Sequence, residues 1–303
     1  MKVIKSSNNI NDKYVLFSSD NNPDYYFILP IATLAWKNMG YKPLISLVWD
    51  SNNLSENKNT VIEYCNLLGA DIFIIESQTI IKDRRFNGYN LSMLAQISRF
   101  CSSILLPKNS YCLTSDADMI PTNVEWFNQQ NFNKKIHLFY ANGYEHTRYP
   151  ICYIGMDTST WKDVFKFPSE IDIYYALKHL LSDLNRYESN GNQWGYDEIL
   201  FFKRISKYKE YPHNCHMIDR KIYNNLGFKR GMIGVPKLLP YGRLDRSFWN
   251  IKRIYGDLVD IHCMRNPYSR NNVKLLKETL TIVFSKKDYE IIDKYIHKFV
   301  YGV

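Results

Sequence analysis

None of the six cysteines (Cys65, Cys101, Cys112, Cys152, Cys215 and Cys263) stands in a C-x-x-C pair or at any other paired spacing. That excludes a cysteine-built zinc site or a disulfide framework and leaves buried, reduced thiols. Long apolar runs are missing too. The longest, around Tyr25 to Trp36, is broken by Pro30 and falls short of a bilayer span. Met1 to Asn11 is polar and lacks the apolar core of a secretory signal. Basic residues come only in short clusters, at Lys82/Arg84/Arg85, Lys134/Lys135, Lys229/Arg230 and Lys286/Lys287. No basic arm for nucleic acid is therefore present, and no internal repeat is visible. These absences describe a soluble, cytoplasmic chain with no nucleic-acid partner.

What is present is ordinary globular material. Over 303 residues the chain is 45% hydrophobic and 23% charged, enough for one large α/β domain or two smaller ones. Aromatics reach 15%, led by 24 tyrosines, which suits stacking surfaces. The formal net charge of +9 favours anionic partners such as nucleotides, acidic glycans or a membrane surface.

Hydrophobic periodicity gives strands at Tyr14–Phe17, Leu44–Trp49 and Ile72–Ile75. Between them lie helices from Tyr25 to Met39, ending at Gly40, and from Asn59 to Leu68, ending at Gly69. Pro30 should kink the first helix or displace its start. This alternation implies a parallel sheet with crossover helices. A helix follows from Leu91 to Leu106, then strands at Tyr111–Leu113, Ile136–Tyr140 and Ile151–Met156. Helices are read at Thr158–Phe165 and Ile171–Tyr187, and from Trp194-Gly-Tyr-Asp-Glu198 through Ile205. Pro212 to Gly256 is loop-rich, and a last strand runs from Leu258 to Ile261.

The chain is organised around Tyr111-Cys-Leu-Thr-Ser-Asp-Ala-Asp-Met-Ile-Pro121. On a regular strand Asp116 and Asp118 would point to one face, where two close carboxylates repel unless a cation or proton lies between them. A hard divalent ion, Mg²⁺ or Mn²⁺, suits such oxygen ligands and keeps positions open for substrate phosphates. The alternative is a solvated Asx turn at the end of a strand. A lone Asp-x-Asp does not separate the two.

Four segments in order do. Ser18-Ser-Asp-Asn-Asn22 after the first strand, Asp116-Ala-Asp118, Asp197-Glu198 opening a helix, and His262 after a late strand resemble the GT-A class of nucleotide-sugar glycosyltransferases. The likeness is nearest to its family-8-like members and to glycosyltransferases of large DNA viruses. The resemblance implies an α/β, Rossmann-like nucleotide-sugar-binding fold with a mostly parallel central sheet flanked by helices. It implies a catalytic domain over residues 1–270, with a helical tail over 271–303 packed on it. Mn²⁺ or Mg²⁺ would be held by Asp118 and His262, and Asp116 would bind the ion or the donor ribose. The donor, a UDP-sugar by preference, would meet Ser18, Ser19, Asp20, Asn22, Arg99, Asp116, Trp194 and Arg265; Asp20 and Asn22 could equally be helix caps. Asp197, with Glu198 in reserve, would be the catalytic carboxylate, and a glycan or glycoprotein would be the acceptor. A viral member would work in the host cytoplasm. The Asp-Glu pair departs from the Gln-containing family-8 pattern, which leaves inversion or retention open.

Two other function classes are open to the same residues. A basic binding module for nucleic acid or acidic glycan would need no metal, and an Asp-x-Asp phosphohydrolase would carry its motif near the first strand. In the tail, Ile292, Tyr295, Ile296 and Phe299 recur at helical spacing. They fit an amphipathic helix packed on the domain, with a peripheral membrane contact as the alternative.

Overall fold

Near-continuous apolar runs build the centre of the molecule. Strands β1 (Lys13–Ser19), β2 (Lys42–Trp49) and β3 (Asp71–Glu76) pair in parallel, and β1 also pairs in parallel with β4 (Tyr111–Thr114). The inner strands β1 and β2 are buried along almost their whole length, as a sheet covered on both faces requires. The computed structural model describes residues 12–130, 133–139, 148–183, 193, 195–218, 243–246, 249 and 258–302.

After the short antiparallel β5 (Met119–Pro121) come β6 (Ile136–Phe139), β7 (Ile154–Asp157) and β8 (Cys215–Ile218). They complete a seven-stranded sheet in the order β3-β2-β1-β4-β7-β6-β8, in which only β7 runs against its neighbours. With β9 (Arg243–Leu244) and β10 (Asp260–His262), β5 forms a small second sheet. The helices are α1 (Pro23–Tyr26), α2 (Leu29–Asn38), α3 (Glu56–Leu67), α4 (Ser77–Lys82), α5 (Leu91–Ser102) and α6 (Val124–Phe127). They continue with α7 (Thr158–Phe165), α8 (Ile173–Leu181), α9 (Tyr196–Ile205), α10 (Arg270–Val283) and α11 (Lys286–Tyr301). The expected architecture, α/β with a mostly parallel central sheet flanked by helices, is the one found.

Pro30 displaces the helix start rather than kinking it. The chain makes one turn at α1, and α2 begins at Leu29 with Pro30 in its first turn, where its missing N–H costs nothing. The strand expected at Ile151–Met156 begins only at Ile154, because Thr114 claims the earlier backbone: its hydroxyl donates to Ile151 O at 2.7 Å and accepts from Ile154 N at 2.9 Å. The helix expected over 171–187 is observed from Ile173, capped by Asp172, to Leu181. Residues 184–187 lie outside the described residues.

Gly155, on β7, marks a close approach. A Cβ there would meet the Tyr111 hydroxyl at 1.8 Å and its Cζ at 2.5 Å. Tyr111 is buried, and its hydroxyl contacts His137 Nδ1 at 3.3 Å. Gly155→Ala is therefore expected to destabilise the fold by about 1–3 kcal/mol, the usual cost of overpacking, read as a lower urea midpoint at unchanged slope.

The last helix, α11, lies against α2 and α3, and α10 packs on α11. Ile292, Tyr295, Ile296 and Phe299 all face the core, where Tyr295 Oη donates to Phe27 O at 2.7 Å and the Phe299 and Phe27 rings sit 4.7 Å apart. Outside that face, Lys298 pairs with Glu63 of α3 at 2.7 Å. The apolar stripe is thus spent on internal packing, which leaves it no face for the membrane contact weighed above. No helix among the described residues is long and apolar enough to cross a membrane.

Candidate active site

A cleft opens at the carboxyl ends of β1 and β4, the place where open α/β sheets take ligands. The end of β1 supplies Ser18, Ser19 and Asp20; α5 supplies Ser92, Gln96 and Arg99; and the turn after β4 supplies Asp116 to Asp118. The start of α9 adds Gly195, Asp197 and Glu198, the end of β10 adds His262, and Tyr25, Ile151 and Arg246 complete the lining.

The Asp-x-Asp segment is a turn, not a continued strand. Regular pairing of β4 stops at Thr114, Met119 N closes the turn on Asp116 O at 3.2 Å, and β5 then runs antiparallel to β10. That register sets His262 opposite Met119, and Cys263 N donates to Asp118 O at 2.8 Å. His262 reaches Asp118 because two short strands pair there, although 143 residues separate His262 from Met119 in sequence (262 − 119).

Because the segment turns, its two carboxylates part company. Asp116 is one-third exposed and is held by Nη1 of Arg99. Asp118 is buried, accepts from Arg246 Nη2 at 2.8 Å, and lies 3.3 Å from His262 Nε2. Burial pushes the Asp118 carboxyl up, but neighbouring His262 with the charges of Arg246 and Arg265 outweighs it and holds it below its ordinary value. Two separate guanidinium groups thus answer the carboxylate repulsion. Among the described residues no three His, Cys, Asp or Glu side chains converge as a metal cage, and Asp116 stands apart from the Asp118–His262 pair.

That pair by itself fits a divalent ion. Two neighbouring ligands of an octahedral ion with bonds of roughly 2.1 Å lie about 3.0 Å apart, close to the separation seen here. Nε2 of His262 accepts from Nε of Arg246, itself a cleft-lining side chain, at 3.0 Å. Behind the ring, Nδ1 lies 3.5 Å from Oδ1 of Asp245, the position of the outer carboxylate that orients a metal-binding histidine.

Arg99, expected to touch the donor, is instead committed to protein groups. It is only 3% exposed; Nη1 donates to Asp116 and to Ser115 O at 3.2 Å, Nη2 to Asp197 at 3.0 Å, and Nε to Gln96 O at 3.2 Å. Asp197 is buried beside it, and burial pushes its carboxyl up to about 6 against the opposing pull of Arg99. Glu198 is different. It faces the cleft with Arg148 at 3.9 Å as its ion-pair partner, and burial with the neighbouring Asp197 charge pushes it up to about 7. Both acids line the cleft, Asp197 buried against Arg99 and Glu198 the less buried of the two.

The first loop combines both of its expected readings. Ser18, Ser19 and Asp20 line the cleft, whereas Asn22 caps α1 by accepting from Asp24 N at 3.0 Å. Asp20 is internally bonded, accepting from Asn22 N at 3.0 Å and from the Ser92 hydroxyl. Arg265 lies at the rim: it donates to Tyr25 Oη at 2.7 Å and stacks on that ring. Trp194 lies outside the described residues. Gly195 follows with φ +84°, a conformation natural to glycine, and aims the first turn of α9 at the cleft. Sequence reasoning missed Tyr25, Ser92 and Gln96, which sit on helices read only for their packing. It also missed Arg246, which stands in the loop-rich stretch where no periodicity marks a position.

No protein-family model and no curated protein sequence matches the chain. Solved structures do. The galactosyltransferase LgtC, in complex with donor and acceptor sugar analogues, is 11% identical with a TM-score of 0.49, over 92% of this chain and 99% of that one. The glycosyltransferase GlyE of Streptococcus pneumoniae TIGR4 is 10% identical with a TM-score of 0.49, over 96% of this chain and 64% of that one. A glycosyltransferase involved in glycosylation of the major capsid of PBCV-1 is 11% identical with a TM-score of 0.36, over 72% and 92%. The chain is thus similar to glycosyltransferase structures along most of its length.

Proposed function

We propose that the protein is a glycosyltransferase that moves a sugar from a nucleotide-diphosphate donor, a UDP-sugar in the first instance, to a glycan or glycoprotein acceptor. The observation that carries this reading is the convergence of Asp118, His262, Glu198 and the buried Arg99–Asp116–Asp197 group on one cleft at the carboxyl end of the parallel strands. The nucleoside end of the donor faces the β1 loop, where Ser18, Ser19 and the Tyr25 ring offer polar and stacking contacts. The diphosphate faces Asp118, His262 and Arg246. A divalent ion, Mn²⁺ or Mg²⁺, held by Asp118 and His262 would supply charge neutralisation to the departing diphosphate.

Glu198 lines the same cleft, where an ionised carboxylate can take a proton from an acceptor hydroxyl or stabilise positive charge at the donor's anomeric carbon. Asp197 serves from behind, since its carboxylate is occupied by Arg99. Residues 1–270 form the catalytic unit in this reading, and the last helix braces α2 and α3.

A donor panel tests it. Nucleotide release from UDP-, GDP- and dTDP-sugars is measured with Mn²⁺ and with chelator. Release from a UDP-sugar that chelation stops is the expected result; no release from any donor would overturn the reading. Binding of acidic glycan without turnover, insensitive to chelator and falling steeply with salt, would instead favour a non-catalytic basic module, the class to which the net charge also points.

A further inference from the structure

The position a divalent ion would take between Asp118 and His262 is filled by a side chain. Arg246 places Nη2 2.8 Å from Asp118 Oδ2, and its Nε donates to His262 Nε2 at 3.0 Å, with Nη2 also against that nitrogen. One guanidinium thus bridges the two cleft-lining groups best suited to bind metal. An arginine is always charged, so it satisfies the buried Asp118 carboxylate without an ion. Asp116 has a guanidinium of its own in Arg99.

We infer that Arg246 is a resident counter-cation, which occupies the ion's place in the donor-free protein and must leave Asp118 and His262 before metal can bind. The single lone pair of the imidazole nitrogen serves one partner at a time and two cations this close repel, so metal and guanidinium exclude each other at His262. A donor diphosphate relieves the conflict. It offers planar-matched acceptor oxygens to a guanidinium and further ligands to the ion, so both cations find partners once the nucleotide is present. Metal loading in this scheme is coupled to nucleotide: each raises the affinity of the other by the same factor, as linkage requires. The inference rests on the glycosyltransferase reading above.

Mn²⁺ binding to the full-length chain tests it, by calorimetry and by the electron-spin signal of free Mn²⁺, without any turnover assay. Wild type is expected to bind Mn²⁺ weakly alone and at least about ten-fold more tightly with UDP. Arg246→Gln is expected to bind Mn²⁺ alone about ten-fold or more tightly than wild type and to lose most of the UDP enhancement. Arg246→Lys, which keeps the charge but not the fork, should fall between them. Circular dichroism melts establish that each variant is folded, and Arg246→Lys keeps the comparison available if Arg246→Gln is not. Equal Mn²⁺ affinity in wild type and Arg246→Gln, abolished in both by Asp118→Ala, would overturn the inference and leave the metal-using reading standing. Mn²⁺ binding that Asp118→Ala does not affect, with no UDP bound by any protein, would overturn both.

Discussion

Arg99→Met is expected to cost roughly 3–5 kcal/mol of folding stability and to remove sugar transfer, the larger of the stability effects foreseen here. The guanidinium is buried with two carboxylates on it, and Asp197 is as buried as Arg99 itself. Methionine fills the space but leaves both acids without their cation, and a buried carboxylate deprived of its partner either pays the desolvation cost or takes up a proton. The loss should therefore depend on pH, and its sign can be worked out. Asp197 has a folded value of about 6, above the ordinary carboxylate value. Between the two the folded chain holds a proton that the unfolded chain has released, so this residue's contribution to stability falls as pH rises towards 6. Without Arg99 the folded value climbs further, and the window extends upward. Urea melts of variant and wild type should differ most above pH 7 and least near pH 5. A deficit that is constant across this range would mean that Arg99 contributes packing rather than charge. Asp197→Asn should be milder in stability, since the amide is neutral and Asp116 remains to pair with Arg99.

Glu198→Gln is expected to lower transfer by about 10²–10⁴-fold while nucleotide affinity stays within a few-fold of wild type. Glu198 is the less buried of the two acids that line the cleft, and glutamine keeps its size and one acceptor oxygen while removing the charge. Both roles open to it need the ionised form. Its value of about 7 makes wild-type activity rise with pH through neutrality, because burial and the Asp197 charge hold the proton on at lower pH. In the variant that rise should vanish. A variant that retains both the rate and the pH dependence would transfer the role to another group and reduce Glu198 to the Arg148 ion pair. The anomeric proton of the product, read by NMR, separates inversion from retention and so decides whether Glu198 acts on the acceptor or on the donor.

Much of this was legible in the chain alone. The strands β1 to β4, the helix breaks at Gly40 and Gly69, and helix Thr158–Phe165 follow from local periodicity and from residues whose backbone preferences are strong. So does the position of Asp116 and Asp118, two residues apart just beyond the end of β4. Which cations they meet was not legible. Arg99 reaches Asp116 across the sheet from α5, and Arg246 comes from a stretch with no periodic pattern at all. The assumption of a regular strand put both carboxylates on one face. The observed turn sends them to two arginines, because backbone pairing with β10 takes over at Met119.

The choice between Asp197 and Glu198 was equally closed to sequence. Both acids begin the same helix and line the same cleft, and only the fold sets one of them against the buried Arg99. Local propensity and the order of the motifs thus determined the α/β architecture and the neighbourhood of the site. Partner choice among its charges was left to tertiary structure, because an ion pair is set by distance and desolvation, and neither is encoded in a residue's immediate neighbours.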